Sequence, residues 1–261
     1  MLGKPWWLHV VAAMTYIFMY LPIFILILFS FEQSRLSVHL TGFTLDWYAI
    51  LFQDEAIALA LSNSLIVAAF AVLASAVMGT MAAVGLTRLH FRGKEIYRGL
   101  ILLPIIIPEI AMAVSALILF IAIGLPLGLA TVIVSHIVFC VAYVTLTVMG
   151  RLEGLDPRLE EAAQDLGASP LMAFFRVTLP LLMPGIVAGS LLAFVLSLDD
   201  FVITQFTAGV GSTTLPLRIY SMVKFGVSPE INALSTLMII VTFGLTIAAE
   251  VVRGQKVNAA R

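Results

Sequence analysis

The stretch that decides the fold reads Asp156-Pro157-Arg158-Leu159-Glu160-Glu161-Ala162-Ala163-Gln164-Asp165-Leu166-Gly167, continues through Ser169-Pro170 and closes on Val177-Thr178-Leu179-Pro180. Asp156 reads as an N-cap and Pro157 as a first helical residue, with Glu160 and Glu161 in or near the first turn, where the helix dipole favours acids. Leu159, Ala162, Ala163 and Leu166 fall at i, i+3, i+4 and i+7, one apolar stripe on a short helix. Gly167 ends that helix. Ser169-Pro170 starts a second one, whose Leu171, Phe174 and Phe175 can pack, and Pro180 and Pro184 are expected to stop it. Isolated helices below about 12–15 residues rarely persist in water, so the stripe must dock on something. Helices that lie on lipid headgroups carry Lys and Arg on their polar face, whereas this one carries Glu160, Glu161 and Asp165. The stripe is therefore expected to enter a shallow groove on a cytosolic partner.

Working outward, the 150–184 segment is flanked by apolar runs. Crossing a bilayer takes about 20 mostly apolar residues. Six stretches qualify, at about 9–31, 59–87, 99–123, 127–149, 185–208 and 231–252. The expected fold is all-α and integral to the membrane, one domain of six transmembrane helices. Lys4 before the first run resembles the start of a signal peptide, but the run exceeds a signal core of about 7–15 residues and no A-x-A-like site follows, so it is expected to be retained. Ser228-Pro229-Glu230 should open the last helix, and Ser62-Asn63-Ser64 offers caps near the outer end of the second. Pro104 and Pro108 each remove a backbone donor, so a kink or break is expected in the third run. Trp47 and Tyr48, in Gly42-Phe43-Thr44-Leu45-Asp46-Trp47-Tyr48, fit a short element at headgroup level.

Composition agrees. Of 261 residues, 61% are hydrophobic and 11% charged, with a mean hydropathy of +1.10; a soluble domain carries about 25% charged residues. A net charge of -1 argues against a nucleic-acid partner. The single cysteine, Cys140, cannot form an intrachain disulfide. His136 and Cys140, one turn apart, are too few for a metal site and read as a packing face. With the N-terminus inside, eleven of the fourteen Lys and Arg residues fall on inner segments, and only Arg35, Arg218 and Lys224 on outer ones. The positive-inside rule then makes both termini cytoplasmic.

The pattern Glu161-Ala162-Ala163, three residues, Gly167, nine residues, Val177-Thr178-Leu179-Pro180 resembles the EAA loop of ABC importer permeases, E-A-A-x3-G-x9-I-x-L-P, departing only in Val177 for isoleucine. Its place before the penultimate span matches, and Asn63-Ser64-Leu65 is also typical of the type I permeases. The resemblance implies a type I permease bundle with a cytoplasmic coupling helix, in which Glu161, Ala162, Ala163, Gly167, Leu179 and Pro180 meet an ATP-binding subunit. This chain has no G-x-x-x-x-G-K-[ST] phosphate loop, so it is not expected to hold ATP or magnesium itself. The implied partners are two ABC ATPase subunits, a second homologous permease subunit forming a heterodimer, and an extracytoplasmic substrate-binding protein, at a bacterial inner membrane.

Ionisable residues within spans are functional candidates by default. Glu109 follows Pro108, and Asp199-Asp200 lies about 20 Å along its helix from Gly185. Neighbours on a helix point about 100° apart, so the two aspartates cannot face one partner; one can line a pathway while the other caps, or both can sit at the outer interface. Along nearly its whole length the chain also resembles the spermidine/putrescine permease subunits, through Leu196-Ser197-Leu198-Asp199-Asp200, Ile219-Tyr220-Ser221-Met222-Val223-Lys224, Gly226-Val227-Ser228-Pro229-Glu230-Ile231-Asn232-Ala233-Leu234 and Phe91-Arg92-Gly93-Lys94. That likeness implies a polyamine or another small amine or opine-like solute, passing Asp199, Asp200, Glu109, Trp47 and Tyr48, because acids with aromatics suit ammonium groups. A secondary transporter would leave the 150–184 pattern unexplained, and the chain has neither H-E-x-x-H nor G-x-S-x-G to suggest an intramembrane enzyme.

Overall fold

A computed structural model of the chain describes residues 6–34, 40–156, 158–224, 226 and 228–258, with side chains followed to residue 244. The readings made on Lys4, Arg35, Pro157, Val227 and Arg261, and on the side chains of Arg253 and Lys256, lie outside those residues. The elements are helical: α1 (Trp6–Phe29), α2 (Asp46–Gln53), α3 (Glu55–Arg88), α4 (Lys94–Ile106), α5 (Glu109–Ala122), α6 (Leu129–Glu153), α7 (Arg158–Asp165), α8 (Pro170–Ala173), α9 (Leu179–Asp199), α10 (Val202–Thr207), α11 (Leu215–Val223) and α12 (Pro229–Asn258). Among the described residues four stretches are long and apolar enough to cross a bilayer: α1, α3, α6 and the continuous run Pro170–Asp199. The α4–α5 pair makes a fifth if it is one span, broken by a bend of 108°, and α12 adds a shorter apolar stretch, Pro229–Gly244.

Contacts divide the chain into two compact units. The first holds Met1–Ala58 and Ile219–Ala248. Here α1 is mostly apolar, with His9 and Thr15 as exceptions, and has no buried residue. After it the chain doubles back, with Thr44 N donating to Phe31 O at 2.9 Å and Phe31 stacked on Phe43 at 4.9 Å. Glu32 sits in this return, buried. Its carboxylate accepts from Ser34 N at 3.0 Å, from Thr41 N at 2.9 Å and from the Thr41 hydroxyl.

The second unit, Leu59–Arg218 with Ala249–Arg261, is organised on α6. Among lipid tails, apolar burial between helices adds little, so close contact has to come from small residues. Val144 of α6 lies between two of them. A β-carbon at Gly79 of α3 would stand 2.8 Å from the Val144 side chain, and one at Gly189 of α9 would stand 3.2 Å from the Val144 Cα. Gly185-x-x-x-Gly189 thus serves contact within the chain, with Gly185 against the Arg151 side chain. Ala71, Ala83, Leu86, Leu182, Ala193 and Ile203 fill the rest of this core.

Two local expectations are corrected. Pro180 and Pro184 do not stop a helix, because the chain runs helically from Pro170 to Asp199. A π turn, Phe174–Thr178, precedes Pro180, with Leu179 N bonding to Phe174 O. That wider turn leaves room for the proline ring, which would clash with the fourth preceding carbonyl in regular α geometry. Ser62-Asn63-Ser64 lies inside α3 rather than at its start. Asp54 caps the helix instead, accepting from Ala56 N and Ile57 N at 2.7 and 3.1 Å. Asn63 and Ser64 brace a distant loop, donating to Gly211 O and Thr213 O and accepting from Leu215 N.

Candidate functional site

Two clusters in the second unit carry the chemistry. The first is the 150–184 segment. Gly167 adopts φ +91°, a conformation that favours glycine. Its N–H bonds to Gln164 O at 2.8 Å and the Ala168 N–H to Ala163 O at 3.0 Å, the paired closure of a Schellman cap. Ser169 Oγ accepts from Met172 N at the start of α8. Ahead of these caps, α7 leaves both leucines of its stripe uncovered, Leu166 at 91% exposure and Leu159 exposed too; after them Leu171, Met172 and Phe175 are likewise exposed. Glu161 and Ala162 are exposed and Ala163 is half-buried; Leu179 is half-buried and Pro180 exposed, at the root of α9.

The second cluster forms where two helices break. Pro108 cannot donate to the α4 ladder and drives Ile107 into extended geometry, φ -70°, ψ 136°, so α4 ends and α5 starts at Glu109. The other break follows α9. Asp200 is buried, accepting from Ile203 N at 3.2 Å and from Thr204 N and Oγ1 at 2.8 Å each, which caps α10. His136 of α6 completes the network. Its Nε2 lies 3.2 Å from Asp200 Oδ2 and 3.1 Å from Thr204 Oγ1, and its Nδ1 2.8 Å from Ser197 Oγ. With the Thr204 hydroxyl given to Asp200, a proton on His136 Nε2 and the Ser197 hydroxyl turned to Nδ1 leave no ring nitrogen unmatched.

The Asp199 side chain is exposed and makes no hydrogen bond among the described residues. Glu109, also exposed, lies within electrostatic reach of Asp200, Asp199 and His136. The structure therefore gathers Glu109, Asp199 and Asp200 and gives the aspartates different work. A cavity of about 470 Å³ shares α5, α6 and α10 with this cluster and is lined mainly by apolar groups, including Ile107, Ala111, Leu119, Val138 and Ile203.

Trp47 and Tyr48 belong to the other unit. The Trp47 indole donates to Glu32 O at 2.7 Å, and the Tyr48 hydroxyl lies 2.8 Å from Ser30 Oγ. Both rings pin the return between α1 and α2. Sequence reasoning missed His136 as the partner of Asp200 and Glu160 as a bonded residue. A histidine inside an apolar run is itself a signal, since a buried ring must find polar partners. Among the described residues no group of three His, Cys, Asp or Glu side chains is arranged to hold a metal ion.

Residues 75–254 match the family described as binding-protein-dependent transport system inner membrane component. The chain is 42% identical over 241 residues to the spermidine/putrescine transport system permease protein PotC of Escherichia coli strain K12, covering 92% of this chain and 91% of that one. It is 44% identical over 240 residues to the putrescine transport system permease protein PotI of the same strain, covering 89% and 85%. In fold it is similar to a chain of a bacterial ABC transporter involved in the import of alginate, with a TM-score of 0.76, 19% identity and 96% coverage of each chain. The chain belongs to the binding-protein-dependent inner membrane component family: it is a membrane-spanning permease subunit of an ABC importer, a transport subunit and not an enzyme.

Proposed function

We propose that this permease subunit carries polyamines, spermidine or putrescine, and that Asp199 with Glu109 forms the cationic path while Asp200 holds the wall. The observation that carries this is the gathering of three carboxylates at the breaks of two helices, with Asp199 exposed and uncommitted. An ammonium group can pair there, and the apolar cavity beside it suits a methylene stem. The relatives named above carry spermidine or putrescine in their names, and their likeness extends over nearly the whole chain.

The remaining assignments follow the same reading. The chain crosses the inner membrane six times with both termini cytoplasmic, and α7 docks on one of two ATPase subunits that hold ATP and magnesium. A second permease subunit completes the bundle, and an extracytoplasmic binding protein delivers the solute. Glu161, Ala162, Ala163 and Gly167 form the docking face, with Leu179 and Pro180 at its root. Trp47 and Tyr48 anchor the outer end of α1.

Asp199→Asn keeps shape and removes charge. It is expected to lower putrescine or spermidine uptake by about one to two decades, since a charge-assisted bond contributes about 1–3 kcal/mol and 1.4 kcal/mol is tenfold. ATP hydrolysis without substrate should be unchanged. Wild-type polyamine uptake by this variant would overturn the charge path.

A further inference from the structure

We propose that Glu160, the residue before the Glu-Ala-Ala run, is a positioning residue: its carboxylate ties α7 to two membrane-embedded helices, so that displacement of α7 reaches both together. This deepens the reading that α7 docks on the ATPase, and rests on it. One oxygen, Glu160 Oε2, accepts from Arg88 Nη1 at 2.9 Å and from Thr178 Oγ1 at 2.8 Å. Arg88 is the last residue of α3, and Thr178 is the last of the π turn that runs into α9. Among the described residues these are the side-chain hydrogen bonds that leave α7 for a spanning helix; the Asp156 and Gly167 bonds close the ends of α7 within its own segment.

The placement of the bonds matters more than their strength. The Glu160 side chain is 21% exposed and Arg88 30%, so water screens the pair only in part, and Thr178 is buried. Glu161 and the Leu166 side of α7 point away from these bonds into the open. One short helix thus presents its stripe outward and is fastened behind by a single carboxylate. A helix of eight residues has little stiffness of its own, so what it transmits is set by its attachments. Thr178 adds a second point, because single π turns inside α-helices are frequent at functional sites. A bond to its last residue fixes the turn to α7 while the helix above it moves.

The test uses the full complex in liposomes, with both permease subunits, the ATPases and the binding protein, measuring putrescine or spermidine uptake and ATP hydrolysed in the same vesicles. Glu160→Gln should cut uptake per ATP by about tenfold, the effect of losing one charge-assisted bond, with hydrolysis continuing. The exchanged pair Arg88→Glu with Glu160→Arg should restore most of the ratio, since a guanidinium at 160 can meet both a carboxylate at 88 and the Thr178 hydroxyl. An unchanged ratio in Glu160→Gln, or an exchanged pair no better than either single variant, would overturn the proposal. If Glu160→Gln does not accumulate in the membrane, Thr178→Val and Arg88→Gln each remove one bond and should lower the ratio; a wild-type ratio in both would overturn it. Should the wild-type complex import no polyamine, the substrate reading fails separately. Hydrogen exchange on the purified subunit then decides the fastening: faster exchange of the 158–166 amides in Glu160→Gln supports it, and equal exchange overturns it.

Discussion

Gly167 shows how much one residue governs. A side chain at φ +91° costs about 1–2 kcal/mol in left-handed geometry, and α7 has only eight residues over which to absorb it. Gly167→Ala is expected to lower uptake severalfold, and Gly167→Pro, which also removes the N–H bonded to Gln164, to abolish it. Thermal melting of the membrane helices, followed by circular dichroism in detergent, should be unchanged in both. This glycine was legible in the sequence because a C-terminal cap depends on neighbours within one turn. The division of labour between Asp199 and Asp200 was not. Adjacency said that they diverge, but which one turns inward depends on His136, Ser197 and Thr204, and His136 lies on another helix.

At the scale of elements, the return between α1 and α2 carries its own pH response. Bonds from the Thr41 hydroxyl, then from the Ser34 N–H, hold the Glu32 carboxyl below the usual carboxylate range, outweighing the effect of its burial. A carboxyl depressed on folding stabilises the structure fully above its unfolded pKa of about 4.3, and this stabilisation disappears as pH falls through the folded value. In a background carrying Trp6→Phe and Trp7→Phe, emission from Trp47, whose indole bonds to Glu32 O, should stay constant from neutral pH down to that range and shift below it. Glu32→Gln should show the shifted emission at neutral pH with no further acid transition; an acid transition of wild-type size in that variant would refute the role of Glu32. Sequence reading placed Trp47 and Tyr48 at an interface but missed this acid, because Glu32 follows directly on an apolar run and one of its partners, Thr41, stands nine residues further on. The prolines misled for a related reason. Pro180 and Pro184 are helix stops by local rules, and only the π turn before Pro180 shows why the helix continues through that residue.

The molecule as a whole was the most legible, since apolar length and motif spacing are properties of the chain and not of its packing. Topology follows the same logic. A reporter active only in the cytoplasm should work when fused after Arg261 and fail in the 207–230 loop, and one active only outside should do the reverse; either opposite result would refute the six-span arrangement. What the sequence could not convey is which helix anchors the second unit. That role falls to α6, because its neighbours bring glycines to it. The converse case is α1, which has no buried residue and precedes the stretch shared across the family, residues 75–254. Among the described residues no side chain of α1 is buried, and only Leu26, Ile27 and Phe29 near its end are half-buried, so within this chain the constraint on most of α1 is compositional and not positional. Over evolutionary time α1 is free to drift in its order of residues while its oiliness is kept, and comparisons among relatives should find identity fading there first.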